Sequence, residues 1–212
     1  MYERTRELIR ECLRILRQPP LVSIMEWANQ YRVLDTTSAK EVGKFNVERT
    51  PYMIEIYEKI TKGETKQVTL MMAAQLAKSE LIINTILRYA HLDPCPMLIV
   101  QPTDEMARSF SKERIQPAIN NSILHTIIKE PSKKDSGNTV THKMFPGGYI
   151  AFVGANSPSG LASRPIRITL LDEIDRFPLS ARKEGDPVKL AERRTNNFYD
   201  SKNIRVSTPT DD

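Results

Sequence analysis

"QVTLMMAAQLAKSELIINTILRYA", residues 67–90, is the stretch on which the reading of the fold turns. Gln67 to Met71 is a short β-type run, Leu81 to Ala90 is an apolar run of helical type, and "AAQLAKSE" (73–80) joins them. The joint is either an ordinary turn or a loop built to hold phosphate. A phosphate loop follows a strand, wraps backbone N–H groups around the anion, and presents Lys and then Ser or Thr as the helix begins. Residues 72–79, "MAAQLAKS", keep that register: Lys78 falls at the position that reaches β- and γ-phosphates, and Ser79 at the position whose hydroxyl holds Mg²⁺. The loop between them is Ala74, Gln75, Leu76 and Ala77, with Glu80 following in the helix. Met72 and Ala77 stand where such loops carry glycine, so either alanine there costs about 1 kcal/mol in strain or the loop follows a slightly different path.

Outward from this stretch, short β-type runs alternate with helices, the pattern of a mostly parallel sheet covered on both faces. The strands are expected at Gln67–Met71, Met97–Val100, Ile166–Leu171 and Ile204–Ser207. Helices are expected at 78–91, 103–119 and 187–198, and a meander at 139–153 around the hairpin pair Gly147-Gly148. Upstream, residues 2–18 place Leu8, Ile9, Cys12, Leu13 and Leu16 on one helical face, with Arg6, Arg10, Arg14 and Arg17 opposite. That stripe is either a solvated face or a contact for nucleic acid or a partner. Pro19-Pro20 ends it, and Ser23 with Glu26 gives a capping-box start for a helix through Trp27 and Tyr31. Residues 35–49 read as a polar loop, and Thr50-Pro51 as the N-cap and first position of a helix through Ile60.

"IRITLLDEIDRFP" (166–178) supplies the second half of a nucleotide site. An apolar strand ending in Asp172-Glu173 puts the first carboxylate at its tip for the Mg²⁺ shell, and the second where it can polarise a water attacking the γ-phosphate. "VSTPT" (206–210) ends another strand in hydroxyls, Ser207 and Thr208, which fits either a γ-phosphate-sensing coupling motif or plain Ser/Thr-Pro turn chemistry.

Composition bounds these readings. The 212 residues are 40% apolar and 27% charged, which suits one soluble globular domain with a real core. No apolar run is long enough to span a membrane, and the N-terminus lacks the apolar core of a signal peptide, so the expectation is a cytoplasmic protein without a membrane partner. Cys12 and Cys95 have no metal-ligand spacing and read as reduced thiols. The net charge of +5 is compatible with a polyanionic partner and does not require one.

"EWANQYRV" (26–33), "RTPY" (49–52), "AQLAKSE" (74–80), "GANSPSGLASRP" (154–165), "LLDEIDRFP" (170–178) and "STP" (207–209), in that order, resemble the ATPase domain of the large terminase subunit of tailed bacteriophages, lambda type. The resemblance runs from about residue 23 onward. It implies an ASCE-type, RecA-like P-loop ATPase in residues 51–212, preceded by a helical extension over 1–50 packed on it, with ATP and Mg²⁺ as ligands. It further implies a motor that packages double-stranded DNA into a procapsid in the host cytoplasm, with a small terminase subunit, the portal protein and further copies of itself as partners. The nuclease domain that normally follows in the family is not within these residues. Lys78 and Ser79 match the family's loop, Asp172 its magnesium position, Glu173 its catalytic base, and Ser207 with Thr208 its coupling motif. Arg164 becomes either an arginine finger, acting within or between subunits, or an anchor for its loop. Tyr52 matches the aromatic of the adenine-recognition motif. The chain departs from the pattern at Met72, where some members carry the loop lysine, and at Met53, where glutamine often follows the aromatic. A helicase-like remodeller of nucleic acid and a nucleotide-binding module that no longer hydrolyses are the alternatives.

Overall fold

The structure, a computed structural model, describes residues 3–6, 9, 22–35, 42–128, 138–162 and 164–209. Apart from residues 3–6 and 9, which are helical, the arginine-striped helix expected over 2–18 lies outside the described residues, as do Cys12, Thr210, Asp211 and Asp212.

The chain order is α1 (Ile24–Tyr31), β1 (Val33–Leu34), β2 (Gly43–Lys44), α2 (Ile54–Thr61), β3 (Gln67–Met71), α3 (Lys78–Leu92), β4 (Pro96–Gln101), α4 (Asp104–Phe110), α5 (Gln116–Asn120), β5 (His142–Phe145), β6 (Gly148–Gly154), α6 (Pro158–Ala162), β7 (Ile168–Asp172), α7 (Pro187–Glu192) and β8 (Lys202–Ser207). Six strands form one sheet in the order β3-β8-β7-β4-β6-β5. Every pairing in it is parallel except the β5–β6 hairpin. The carboxyl ends of β3, β8, β7, β4 and β6 therefore share one side of the molecule.

Helix α3 is the centrepiece of the larger core. Every residue from Leu81 to Ala90 is buried, because sheet residues such as Ile99, Leu170 and Val206 cover one side of it and Trp27 and Tyr57 from α1 and α2 close the other. Trp27 donates its indole N–H to His91 Nδ1 at 2.9 Å and packs against Tyr31. On the opposite face of the sheet a smaller cluster, including Leu98, Val100 and Leu171, is covered by Leu161 of α6 and Ala191 of α7.

The expected strands all form, and their ends shift by at most two residues. Several helical expectations need correction. Residues 35–49 are not all loop: Gly43–Lys44 pairs with Val33–Leu34, and Val47–Arg49 is a 3₁₀ turn capped by Asn46. Thr50 does not cap a helix; its hydroxyl turns back to the Val47 carbonyl, and Pro51–Met53 form a 3₁₀ turn before α2. The helix expected over 103–119 widens into a π-turn at Ser111–Ile115, where Gln116 N–H reaches back to the Ser111 carbonyl. Pro117 explains the widening: proline lacks the N–H of a regular turn, and its ring crowds the carbonyl four residues earlier. The helix begun at Pro187 tightens to a 3₁₀ turn at Arg193–Asn197.

Candidate nucleotide site

The segment after β3 turns on two non-glycine residues in left-handed conformation, Gln75 (φ 63°) and Ala77 (φ 58°), and α3 begins at Lys78. Such conformations persist only where the surroundings impose them, and they gather at functional sites. Residues Ala73 to Leu76 are exposed, so the backbone of the loop faces solvent ahead of the N-terminus of a fifteen-residue helix. Lys78 is 9% exposed, and its ammonium donates to the carbonyls of Met72 at 2.8 Å and Ala73 at 2.6 Å. The lysine thus closes its own loop.

Strand register brings the remaining groups to the same end. Met71 pairs with Ser207, and Asp172 pairs with Val206. Ser207 stitches the two halves together: its carbonyl accepts from Met72 N–H at 3.0 Å, and its hydroxyl accepts from Asp175 N–H at 3.1 Å. Thr208, one step further, is partly exposed, and the Ser207 hydroxyl lies 3.4 Å from its carbonyl.

Asp172 is 6% exposed and accepts a hydrogen bond at Oδ2 from Gln101 Nε2, 2.9 Å away at the tip of β4. Burial pushes its carboxyl above the ordinary value; the Gln101 bond pulls it back, the Glu173 charge adds to the rise, and the Lys78 ammonium opposes it. Lys78 is therefore within electrostatic reach of the acidic strand end. Glu173 is also left-handed (φ 55°), which turns the chain out of β7 into a 3₁₀ turn, and its Oε2 accepts from Arg176 at 2.9 Å.

Lys78, Ser79, Asp172, Glu173, Ser207 and Thr208 thus lie at the carboxyl ends of three adjacent strands or at the start of the helix that follows one of them. Three other expected residues are placed differently. Glu80 faces two arginines: its Oε2 accepts from Arg32 at 2.5 Å, and Arg114 lies 3.6 Å from its Oε1. Tyr52 is half exposed on its 3₁₀ turn, and the tyrosine that reaches α3 is Tyr57, which accepts from Asn84 Nδ2 at 2.9 Å. Arg164 lies over the Tyr149 ring, 5.7 Å from its centroid, and contacts His142 Nε2 at 3.1 Å. Tyr149 begins β6 opposite Pro96, whereas the site lies beyond Gln101 and Gly154, the last pair of the same ladder. Five residues of strand separate the two rows, about 16 Å. Within one chain Arg164 therefore sits towards the opposite end of the sheet from Asp172.

Arg32 and Gln101 are two of the buried polar residues that sequence reading left without a role. Arg32 stands inside the "EWANQYRV" motif, 1% exposed, and its contact lies across the fold on α3. Gln101 closes an apolar strand, and a polar residue ending such a strand is the signal that could have marked it.

A strand, a loop on left-handed residues, a lysine at the helix start and a carboxylate pair two strands away define the chain as a RecA-like P-loop ATPase domain. Comparison with known proteins narrows this. Residues 39–212 match the family described as phage terminase large subunit gpA, ATPase domain. The large terminase subunit of Escherichia phage lambda is 26% identical over 208 residues, covering 97% of this chain and 32% of that protein. That of Enterobacteria phage P21 is 24% identical over 194 residues, covering 90% and 30%. Among solved structures, an arginine-to-alanine variant of the large terminase ATPase domain of Thermus phage P74-26 superimposes with a TM-score of 0.52 at 17% identity, over 77% of this chain and 68% of that one, which shows the shared fold. The chain belongs to the phage terminase large subunit ATPase-domain family. It spans about a third of the length of the curated relatives it matches.

Proposed function

We propose that this domain hydrolyses Mg²⁺-ATP and that the hydrolysis drives double-stranded DNA into a procapsid. The observation that carries the reading is the placement of Lys78 after β3 and of Asp172 and Glu173 at the end of β7, on either side of β8, whose Ser207 bonds the backbone of Met72 and of Asp175. The exposed amides of residues 73–76 would cradle the phosphates. Lys78 would leave the Met72 and Ala73 carbonyls for the β- and γ-phosphates, exchanging two neutral acceptors for an anion, which makes the stronger hydrogen bonds. Glu173 would give up Arg176, which is largely exposed, and accept a proton from the attacking water.

The donors present suit a magnesium ion. Asp172 and Ser79 offer oxygen alone, and among the described residues no cluster of three His, Cys, Asp or Glu could hold a metal unaided. This fits Mg²⁺, which is bound through one or two carboxylates together with substrate phosphates. When bound it would neutralise charge on the transferring phosphoryl group.

The partners follow from the proposed role: DNA held through its phosphates without base reading, a small terminase subunit, the portal and other copies of this chain. Arg164, remote from its own site, would serve as an arginine finger only for the site of a neighbouring copy. We assign residues 51–212 to the ATPase unit and 1–50 to an extension packed on it. Packing of Trp27 against α3 and the Arg32–Glu80 pair support that assignment.

The test is steady-state ATP hydrolysis by the wild type and Glu173→Ala, with and without duplex DNA. The proposal expects DNA-stimulated turnover that Glu173→Ala reduces by about 10²–10⁴. Equal rates for the two proteins would indicate an inert nucleotide-binding module.

A further inference from the structure

We propose that Gln101 is the positioning residue for the cation-binding carboxylate: its side-chain amide fixes Asp172 and thereby sets how strongly Mg²⁺ tightens ATP binding. The inference rests on the nucleotide-site reading given above.

Gln101 is the last residue of β4, and the pairing of Val100 with Leu171 sets it beside Asp172. The two side chains meet at 2.9 Å, and Gln101 is 3% exposed. Its backbone is held from the far side, where the carbonyl accepts from Ala155 N–H at 2.7 Å. That crossing is tight: Gly154 N–H donates to Asp104 Oδ1 at 2.8 Å, and a Cβ on Gly154 would come within 2.3 Å of the Asp104 nitrogen. The amide therefore arrives from a fixed backbone, and Asp172, the last residue of its own strand, takes its orientation from it.

The chemistry requires a donor, which the Gln101 amide supplies. An ionised carboxylate only accepts hydrogen bonds, so the group beside it must donate; leucine would leave a buried charge without that donor, and glutamate would add a second negative charge. The amide occupies Oδ2 and fixes the plane of the carboxylate, which determines where its remaining lone pairs point. Outer partners of this kind typically govern metal affinity by 10–100-fold.

The test measures the affinity of a fluorescent ATP analogue in excess Mg²⁺ and in EDTA for the wild type, Gln101→Leu and Gln101→Glu, with thermal melting to verify folding. The expected result is a Mg²⁺-dependent gain that shrinks about tenfold in Gln101→Leu and further in Gln101→Glu, with EDTA affinity at the wild-type value. Should Gln101→Leu not fold, Gln101→Asn keeps the amide but shortens its reach, and the same loss of gain is expected. An unchanged Mg²⁺ gain, or an equal loss of affinity in EDTA, would overturn the role of Gln101. A wild type without any Mg²⁺ gain would instead overturn the site reading on which the inference rests.

Discussion

At the amino ends of β4, β7 and β8, Arg167 grips Asp93 through both terminal nitrogens, at 2.6 and 2.8 Å, and Asp200 at 2.6 Å. At the carboxyl ends, Lys78 is held by carbonyls of its own loop, Asp172 by a neutral amide, and Glu173 by a largely exposed arginine. Positive φ angles at Gln75, Ala77 and Glu173 add strain there. Charge that is neutralised by other fixed charge is costly to disturb, because removing one partner leaves the other buried and unpaired. Charge held by neutral or solvent-exposed partners can be exchanged for a ligand at small cost. The two ends of one sheet thus differ in how firmly their charges are held.

Four substitutions or conditions break or sharpen this contrast. Lys78→Ala has the largest expected effect, a loss of ATP affinity on the order of 10³-fold or about 4 kcal/mol, with little change in the denaturation midpoint. Calorimetry and urea titration of the same variant separate the two quantities. Arg167→Ala at the opposite end reverses the pattern: it leaves Asp200 without its cation and Asp93 with only Arg88, 3.9 Å away, and lowers stability by about 3 kcal/mol, while ATP affinity stays at the wild-type value. Ala77→Gly releases the left-handed strain and tightens nucleotide binding by about 1 kcal/mol; equal or weaker affinity by calorimetry would show a loop adapted to alanine.

The smallest effect is a pH dependence at the α1–α3 contact. Burial lowers the pKa of His91, and its Nδ1 accepts the Trp27 indole N–H, which requires the neutral ring. The unfolded chain then binds the proton more readily than the folded one. The contribution is intact above about pH 6.5 and declines as pH falls below it. Urea midpoints of wild type and His91→Gln across that range should converge on acidification, and parallel profiles would remove His91 from the account.

Much of the placement of the candidate site's residues was legible because its signals are local. The β3 run, the Lys78-Ser79 pair at a helix start, the Asp172-Glu173 strand end and the Ser23–Glu26 capping box each lie within a few residues, and the capping box forms with both of its hydrogen bonds. What stayed hidden depends on pairing between distant segments. Gln101 and Asp172 are 71 residues apart, and Arg32 and Glu80 are 48 apart. Only strand order and register bring such pairs together, and no periodicity encodes them. The position of Arg164 relative to Asp172 was hidden for the same reason: it precedes the acidic strand closely in sequence, but it lies on the amino side of that strand, and a parallel sheet sends the two sides to opposite ends. The π-turn before Pro117 was foreseeable in principle from proline's missing donor, although the helical periodicity masked it.

The most direct measurement is a crystal structure of the domain with Mg²⁺ and a non-hydrolysable ATP analogue. The account predicts phosphates cradled by residues 72–77, with Lys78 Nζ transferred from the Met72 and Ala73 carbonyls to phosphate oxygen and Asp172 facing the metal. A nucleotide bound elsewhere, or a Lys78 still closed on its own loop beside bound phosphates, would contradict it.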